Sequence, residues 1–211
     1  ADMTWNPWRG CEKVSPGCKF CYAEKQAKRN PKVLGEWGPG APRVRGVESY
    51  LALPAKWNKA AEKSGVRPRV FCLSFGDWLD HAVPLEWFVH LLDTIRTTPH
   101  LDWLLLTKRP ENFKVRLLMA AFHAAGYRDG QMSDGPTEPE MPGGQWIFDW
   151  AEPKFPAHIP QNVWVGTSVE DQQRADERIP ALLAIPAKVR FLSCEPLLGP
   201  VDLPRVNFHC D

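Results

Sequence analysis

Four short apolar segments, separated by longer stretches with helical periodicity, constrain the fold of this chain more than any other feature. They are RVFCLS (69–74), DWLLLTK (102–108), NVWVGTS (162–168) and KVRFLSC (188–194). Segments of this length that are rich in branched and aromatic residues, and almost continuously hydrophobic, are typical of buried parallel strands. A further short strand is predicted around residues 4–8.

Helical patterns lie between or after these segments. They are YAEKQAKRN (22–30), PLEWFVHLLDTIRTT (84–98), PENFKVRLLMAAFHAAG (110–126) and VEDQQRADERIPALLAI (169–185). Strands that alternate with helices predict a parallel α/β fold with right-handed crossovers. We expect residues 1–211 to form one domain, with a loop-rich surface insertion at about 127–160, where Gly, Pro and acidic residues interrupt the pattern.

The composition indicates an ordinary soluble protein without a strong electrostatic preference. The net charge is +1, so the chain as a whole has no marked attraction for nucleic acid or membranes. No apolar run approaches the ~20 residues that span a bilayer, and no signal peptide is recognisable. We therefore expect a cytoplasmic protein without a membrane segment. The basic residues Lys25, Lys28 and Arg29 are interpreted as a solvated helix face rather than a phosphate site.

Polar clusters follow the predicted strands at SFGDWLD (74–80), TKRPEN (107–112), TSVEDQ (167–172) and SCEP (193–196). The carboxyl ends of parallel strands meet on one face and hold the active site in such folds. The alternative is that these residues are helix N-caps. Lys108 and Arg109 do not fit that alternative, because cations at a helix N-terminus oppose its dipole unless they serve an anion or a carboxylate.

Three cysteines, Cys11, Cys18 and Cys21, lie in the short segment GCEKVSPGCKFC (10–21). A redox pair of Cys18 and Cys21 leaves Cys11 unexplained. Structural zinc needs a fourth ligand from a distant residue such as His81 or Cys210. A 4Fe-4S cluster held by three thiolates keeps one iron open for a cofactor, and S-adenosylmethionine (SAM) is a cofactor of this kind.

The segment CKFC (18–21) resembles the second half of the radical SAM signature, in which an aromatic residue before the last cysteine packs near the adenine. Phe20 holds that place. Six residues separate Cys11 from Cys18, whereas the common signature has three.

A narrower resemblance covers nearly the whole chain. The segments TWNPWRGCEKVSPGCKFCYAE, WLLLTKRPEN, NVWVGTSVEDQ and RIPALLAIPAKVRFLSCEPLLGP are similar to a phage-encoded and bacterial three-cysteine-motif family of unknown function. This family is considered radical-SAM-like and is often paired with a three-Cys-motif partner protein. The resemblance implies an α/β fold, a partial (β/α) barrel of the radical SAM type. The last strand of that barrel is expected to be missing, because family members continue with a Gly-Gly-Glu-Ser-like segment where this sequence ends in NFHCD.

The resemblance also implies roles around a 4Fe-4S cluster and SAM. The cysteines Cys11, Cys18 and Cys21 would ligate the cluster, and Phe20 would lie beside the adenine. Contacts to the methionyl end of SAM would come from Ser74 and Asp77. The ribose would meet Thr167, Ser168 and Glu170, since a carboxylate can accept hydrogen bonds from both ribose hydroxyls.

Other candidates surround the expected site. Lys108 and Arg109 would bind the SAM carboxylate or a substrate phosphate. Glu195 is a further cofactor-binding candidate, or it pairs with Arg109. Cys194 would donate a hydrogen atom to a substrate radical, or it is a small buried residue. Cys72 is expected in the core.

These expectations describe a radical-SAM-like iron–sulfur enzyme that cleaves SAM to a 5′-deoxyadenosyl radical, with a nucleotide or nucleic acid as the substrate class. The alternative is a zinc- or cluster-stabilised binding protein without turnover, acting with a partner. The tryptophans leave both open, because they serve either as stacking surfaces for bases or as packing residues; they are Trp5, Trp8, Trp78, Trp103 and Trp164.

Overall fold

A computed structural model describes residues 1–128, 131–132 and 143–203. Its main sheet contains five strands, β1 (Met3–Trp5), β2 (Arg69–Cys72), β3 (Asp102–Thr107), β4 (Val163–Ser168) and β5 (Val189–Ser193), hydrogen-bonded in that order. Every neighbouring pair is parallel. The predicted mixed α/β fold with a parallel sheet is therefore confirmed, including the short first strand.

The longer helices are α1 (Tyr22–Ala27), α2 (Leu53–Ser64), α3 (Leu85–Thr97), α4 (Phe113–Ala124), α5 (Gly144–Ala151) and α6 (Gln172–Leu183). Short 3-10 helices span Pro16–Phe20, Pro110–Asn112 and Pro156–His158, and single helical turns span Pro31–Leu34 and Glu48–Leu51. Two-residue strands pair Trp8–Arg9 with Val44–Arg45, and Tyr127–Arg128 with Gln131–Met132. The four helical patterns in the sequence are confirmed as α1, α3, α4 and α6, whereas α2 was not anticipated.

The two faces of the sheet differ in burial. Along β3, Trp103 and Leu105 are fully buried, whereas Leu104 and Leu106 are partly exposed. Successive side chains of a strand point to opposite faces, so one face carries the core and the other stays open. The buried face joins one hydrophobic cluster with side chains of the crossover helices, such as Leu92 of α3 and Leu117 of α4. The open face, together with the ends of the strands, is free to form a site.

The segment 127–160 differs from the expected loop-rich surface insertion. Helix α5 lies within it, and Ile147 and Trp150 are buried in the core. The Trp150 ring stacks on Trp78 at a centroid distance of 6.1 Å, and its indole N–H donates to the Pro186 carbonyl at 2.8 Å. The apolar residues recur at helical spacing, which the Gly- and Pro-rich flanks obscured. Residues 129–130 and 133–142 of the predicted insertion lie outside the described residues.

Most of the tryptophans are packing residues. Trp5, Trp8, Trp78 and Trp103 are buried in the core, as is Cys72, so the structural interpretation of these five residues is confirmed. Trp164 is only partly buried. Within the described part of the chain, no helix combines the length and the apolar character needed to cross a membrane.

Candidate functional site

The segment 10–21, which we call the cysteine loop, follows β1 and the two-residue strand Trp8–Arg9. The backbone conformation of its second half, Cys18–Cys21, is set by nearby residues. Pro16 begins the 3-10 helix Pro16–Phe20, and Cys21 is the N-cap of α1. Backbone hydrogen bonds tie Cys18 N–H to the Ser15 carbonyl at 3.0 Å and Cys21 N–H to the Cys18 carbonyl at 3.2 Å. The loop is held to the segment after β2 by the Gly10 N–H, which donates to the Phe75 carbonyl at 3.0 Å.

One cavity lies between this loop and the carboxyl ends of the strands. Its volume is about 670 Å³, within the range of small-molecule sites. All three loop cysteines border it, together with the apolar side chains Leu106 and Phe191 of the open sheet face. Of the other predicted site residues, those that line it are Phe20, Ser74, Asp77, Lys108, Arg109, Ser168 and Glu195.

The three thiols are free and are not bonded to one another. Cys18 is buried, with its Sγ 3.7 Å from Ser15 Oγ, whereas Cys11 and Cys21 are half-buried. Within residues 1–128, 131–132 and 143–203, no group of three or more His, Cys, Asp or Glu side chains is arranged to hold a metal ion. Cys210, considered above as a fourth zinc ligand, lies outside the described residues, and His81 is exposed and does not line the cavity.

Three cysteine thiols form a donor set that fits an iron–sulfur cluster, whereas a structural zinc ion needs a fourth ligand. Ligands of one zinc ion must converge on a point, whereas each cysteine of a 4Fe-4S cluster binds a different iron. Three free thiols border one cavity, and thiolates are the ligands that such a cluster requires. Cys11, Cys18 and Cys21 are therefore the residues that would hold it.

Cys11 has the most unusual electrostatic environment of the three. Burial and the neighbouring Asp77 charge raise the pKa of its thiol to about 12, while Arg109 acts in the opposite direction. The thiol donates to the Glu12 carbonyl at 3.4 Å, and the Arg109 guanidinium lies 3.8 and 3.9 Å from Sγ. The free Cys11 is thus protonated at neutral pH, and a metal would have to displace that proton.

Arg109 is fixed by a carboxylate, as its position at a strand end predicted. Its Nη1 donates to Asp77 Oδ2 at 2.9 Å, and its Nη2 donates to the Glu12 carbonyl at 3.2 Å. Asp77 also accepts hydrogen bonds from the Thr107 hydroxyl at 2.7 Å and the Lys108 N–H at 2.9 Å. The alternative pairing of Arg109 with Glu195 is wrong, because the carboxylate that forms the ion pair with its guanidinium is Asp77.

Glu170 joins the cysteine loop to the sheet. Its Oε1 accepts the Gly17 N–H at 3.2 Å, and its Oε2 accepts the Lys108 ammonium at 2.7 Å. Arg178 lies 3.6 Å from Oε2. A Cβ on Gly17 would come within 2.5 Å of this carboxylate, so only glycine permits the approach. We call Glu170, Gly17 and Lys108 the loop latch.

The position of Glu170 does not fit the predicted contact with the ribose of SAM. The side chain is fully buried, does not line the cavity and has both oxygens engaged. Thr167 is likewise fully buried and donates to the Thr107 carbonyl at 2.9 Å. Of the three residues expected at the ribose, Ser168 alone borders the cavity.

Acid is expected to open the loop latch. Burial raises the pKa of Glu170, but hydrogen bonds from Lys108 and Ser15 outweigh it, so the pKa is lowered below its usual value. Its stabilising contribution is therefore present above the usual glutamate pKa and is lost as the pH falls through the lower, folded pKa. We expect stability to fall below about pH 4, and to fall less steeply in Glu170→Gln. Urea unfolding over this pH range tests it; equal pH slopes would contradict the prediction.

Cys194 differs from both sequence interpretations. It is exposed and does not line the cavity, so it is neither a buried core residue nor placed to donate a hydrogen atom to a molecule bound there. Its neighbours Ser193 and Glu195 border the cavity instead.

Several residues of the site carried no signal in the sequence. Asn6 accepts hydrogen bonds from the Ser74 hydroxyl at 3.2 Å and the Phe75 N–H at 2.8 Å, which fixes the segment after β2. Tyr22 donates to the Ser74 carbonyl at 3.0 Å. Phe191 covers Gly166, where a Cβ would lie 2.4 Å from the ring. These contacts join distant parts of the chain, so local sequence patterns do not predict them.

Comparison with known proteins assigns the chain to a family. No curated protein and no solved structure matches it. The family described as "Protein of unknown function (DUF5131)" matches residues 1–209, and this description states no activity. The match covers almost the whole sequence, so the chain belongs to the DUF5131 family.

Proposed function

We propose that this protein is a radical-SAM-like iron–sulfur enzyme that cleaves S-adenosylmethionine to a 5′-deoxyadenosyl radical. The observation that carries the proposal is the meeting of Cys11, Cys18 and Cys21 around one cavity of about 670 Å³ at the carboxyl ends of the strands. A 4Fe-4S cluster held there by three thiolates would supply one open iron and the electron that cleaves SAM.

The order of the strands supports the proposal that the parallel sheet forms a partial (β/α) barrel. Each of the five main-sheet strands is hydrogen-bonded to the main-sheet strand that follows it along the chain, as the winding of a barrel requires. Phe71, Leu106 and Phe191 of the open sheet face line the cavity, in the way that inward-facing side chains line a barrel.

The protein's own residues would bind and orient the cofactor. Phe20 lies at the cavity rim with 51% of its surface exposed and offers a ring for the adenine. Ser74, Ser168 and Glu195 bring hydroxyl and carboxylate groups to the lining, suited to the amino and hydroxyl groups of SAM. Lys108 and Arg109 also line it, yet both are paired with carboxylates, so they position the loop and Cys11 rather than offering free charges.

Iron binding should depend on the three loop cysteines. After anaerobic reconstitution, we expect about four iron and four sulfide ions per chain, as a 4Fe-4S cluster requires. Serine at Cys11, Cys18 or Cys21 should remove most of both, because each thiolate binds its own iron. The matched control is Cys194→Ser, which should retain the iron, since Cys194 is outside the cavity.

Turnover is tested separately with SAM and a reductant. The reconstituted wild type should release 5′-deoxyadenosine, and the three loop variants should not. Stoichiometric zinc in place of iron would contradict the cluster and favour the zinc-stabilised binding protein. Bound iron without 5′-deoxyadenosine would contradict the enzymatic part and favour a cluster-bearing binding protein that acts with a partner.

A further inference from the structure

Positive charge is concentrated beside the cysteine cavity. Residues 13–32 contain six lysines and arginines and one glutamate, a net charge of +5, whereas the whole chain carries +1. The rest of the chain therefore carries −4. An average over the whole sequence hides this separation, which creates a local attraction for anions.

Most of these cations have no carboxylate partner. Glu24, which is buried, pairs with Lys13 at 3.1 Å and with Lys28 at 3.2 Å. The other four form no ion pair within the part of the chain that the structure describes; they are Lys19, Lys25, Arg29 and Lys32. All four are exposed, so their charges are available to an external anion.

Lys25 and Arg29 are aligned with Tyr22, a residue of the cavity lining. Tyr22, which lines the cavity, and Lys25 are three residues apart on α1 and share one exposed face. Arg29 follows Lys25 by four residues, in the turn that continues the helix. Positions at these spacings are neighbours on a helix surface, so the stripe runs from the cavity along α1. Lys19 lies in the preceding 3-10 helix.

Tyr22 adds a fixed aromatic surface to this stripe. It is 54% exposed, although its hydroxyl donates to the Ser74 carbonyl at 3.0 Å. The ring meets Phe75 edge-on, with centroids 6.2 Å apart. An exposed ring that is held in place can stack against a planar group with little loss of side-chain entropy.

We propose that the stripe formed by Lys19, Tyr22, Lys25 and Arg29 binds single-stranded nucleic acid and leads it to the cysteine cavity. Cations at the surface neutralise backbone phosphates, and a base stacks on Tyr22. A single strand fits because its bases are free to stack, whereas those of a duplex are already stacked within the helix. The idea that the stripe delivers a substrate rests on the proposed function. Binding of nucleic acid by the stripe depends only on its own cations and on Tyr22.

The test measures binding of a fluorescently labelled oligonucleotide of about 15 nucleotides to the full chain by anisotropy. Tyr22→Ala should weaken binding by about 5- to 150-fold, the range for the loss of one stacked base, while Tyr22→Phe keeps the ring and most of the affinity. With three phosphates neutralised, log K should fall with log salt at a slope of about −2. The double variant K25Q/R29Q should weaken binding and reduce that slope to about −0.7.

The matched control is K56Q/K59Q on α2, where two exposed lysines form no ion pair with any residue that the structure describes. This double variant should bind like the wild type. Equal losses in both double variants would overturn the proposal, because binding would then follow net charge alone. Equal affinity for duplex of the same length, or for poly-glutamate, would also overturn it.

Iron content and 5′-deoxyadenosine are measured on the same preparations, which separates the two proposals. A wild type that holds iron and cleaves SAM but binds no oligonucleotide would overturn the stripe and leave the proposed function. Oligonucleotide binding that Tyr22→Ala weakens by the expected factor, in a protein that takes up no iron, would support the stripe and contradict the enzyme.

Discussion

Replacing Glu170 by alanine is expected to lower the free energy of unfolding by about 3–5 kcal/mol, the cost of breaking a buried ion pair. The side chain is fully buried, and its loss leaves Lys108 and the Gly17 N–H without their acceptor. Arg178, which is also buried, loses a carboxylate 3.6 Å away. Urea unfolding of the wild type and variant measures the difference.

A double-mutant cycle separates the loop latch from simple loss of packing. Lys108→Met removes the cation, and combining it with Glu170→Leu replaces the pair by apolar groups of similar size. We expect the double variant to be more stable than Glu170→Leu alone, because no unpaired ammonium remains at the site. If Glu170→Ala cost less than about 1 kcal/mol, in the range of an exposed pair, the loop latch would not be holding the cysteine loop.

Asp80→Ala should be similarly destabilising, by about 3–5 kcal/mol. Asp80 is 0% exposed and Arg43 is 2% exposed in their side chains, and Arg43 Nε donates to Asp80 Oδ2 at 2.8 Å. This pair ties the segment after the cysteine loop to the segment after β2. Removing the carboxylate leaves a buried guanidinium that still donates to the Ala41 carbonyl at 2.6 Å but has lost its counter-charge.

An exposed ion pair provides the control for Asp80. Arg45 and Glu48 form such a pair nearby, and the Glu48 side chain is 76% exposed. Glu48→Ala should change the free energy of unfolding by less than about 1 kcal/mol, because water screens the lost interaction. Similar losses in Asp80→Ala and Glu48→Ala would show that burial of the Arg43 pair does not set its strength.

Local properties of the sequence predicted the scaffold. The strands were recognisable because their segments are almost continuously apolar, on the open face as well as on the core face, and such runs are visible without knowing what they contact. Helix α5 was obscured because its apolar stripe spans only two turns between Gly- and Pro-rich flanks. Helix α2 buries only Pro54 and Ala61, so it lacks the row of large buried apolar residues by which a core-facing helix is recognised in a sequence.

Partner choice in the site was beyond local reasoning. The position of Lys108 and Arg109 after β3 indicated that each needs an anion, and both found carboxylates. Arg109 pairs with Asp77, 32 residues away, and Lys108 pairs with Glu170, 62 residues away. From the sequence, Glu195 was an equally good partner for Arg109, since any carboxylate at a strand end satisfies the same charge requirement.

The sequence by itself determined the α/β architecture, the spacing of the three cysteines and the gathering of polar residues at the strand ends, because each depends on periodicity or adjacency along the chain. Only the tertiary structure decided that Glu170 holds the cysteine loop instead of facing the cavity, and that Tyr22 continues into a stripe of unpaired cations. The physical reason is that burial and charge pairing depend on which distant groups meet. A carboxylate at a strand end has the same local signature whether it faces a ligand or a backbone N–H.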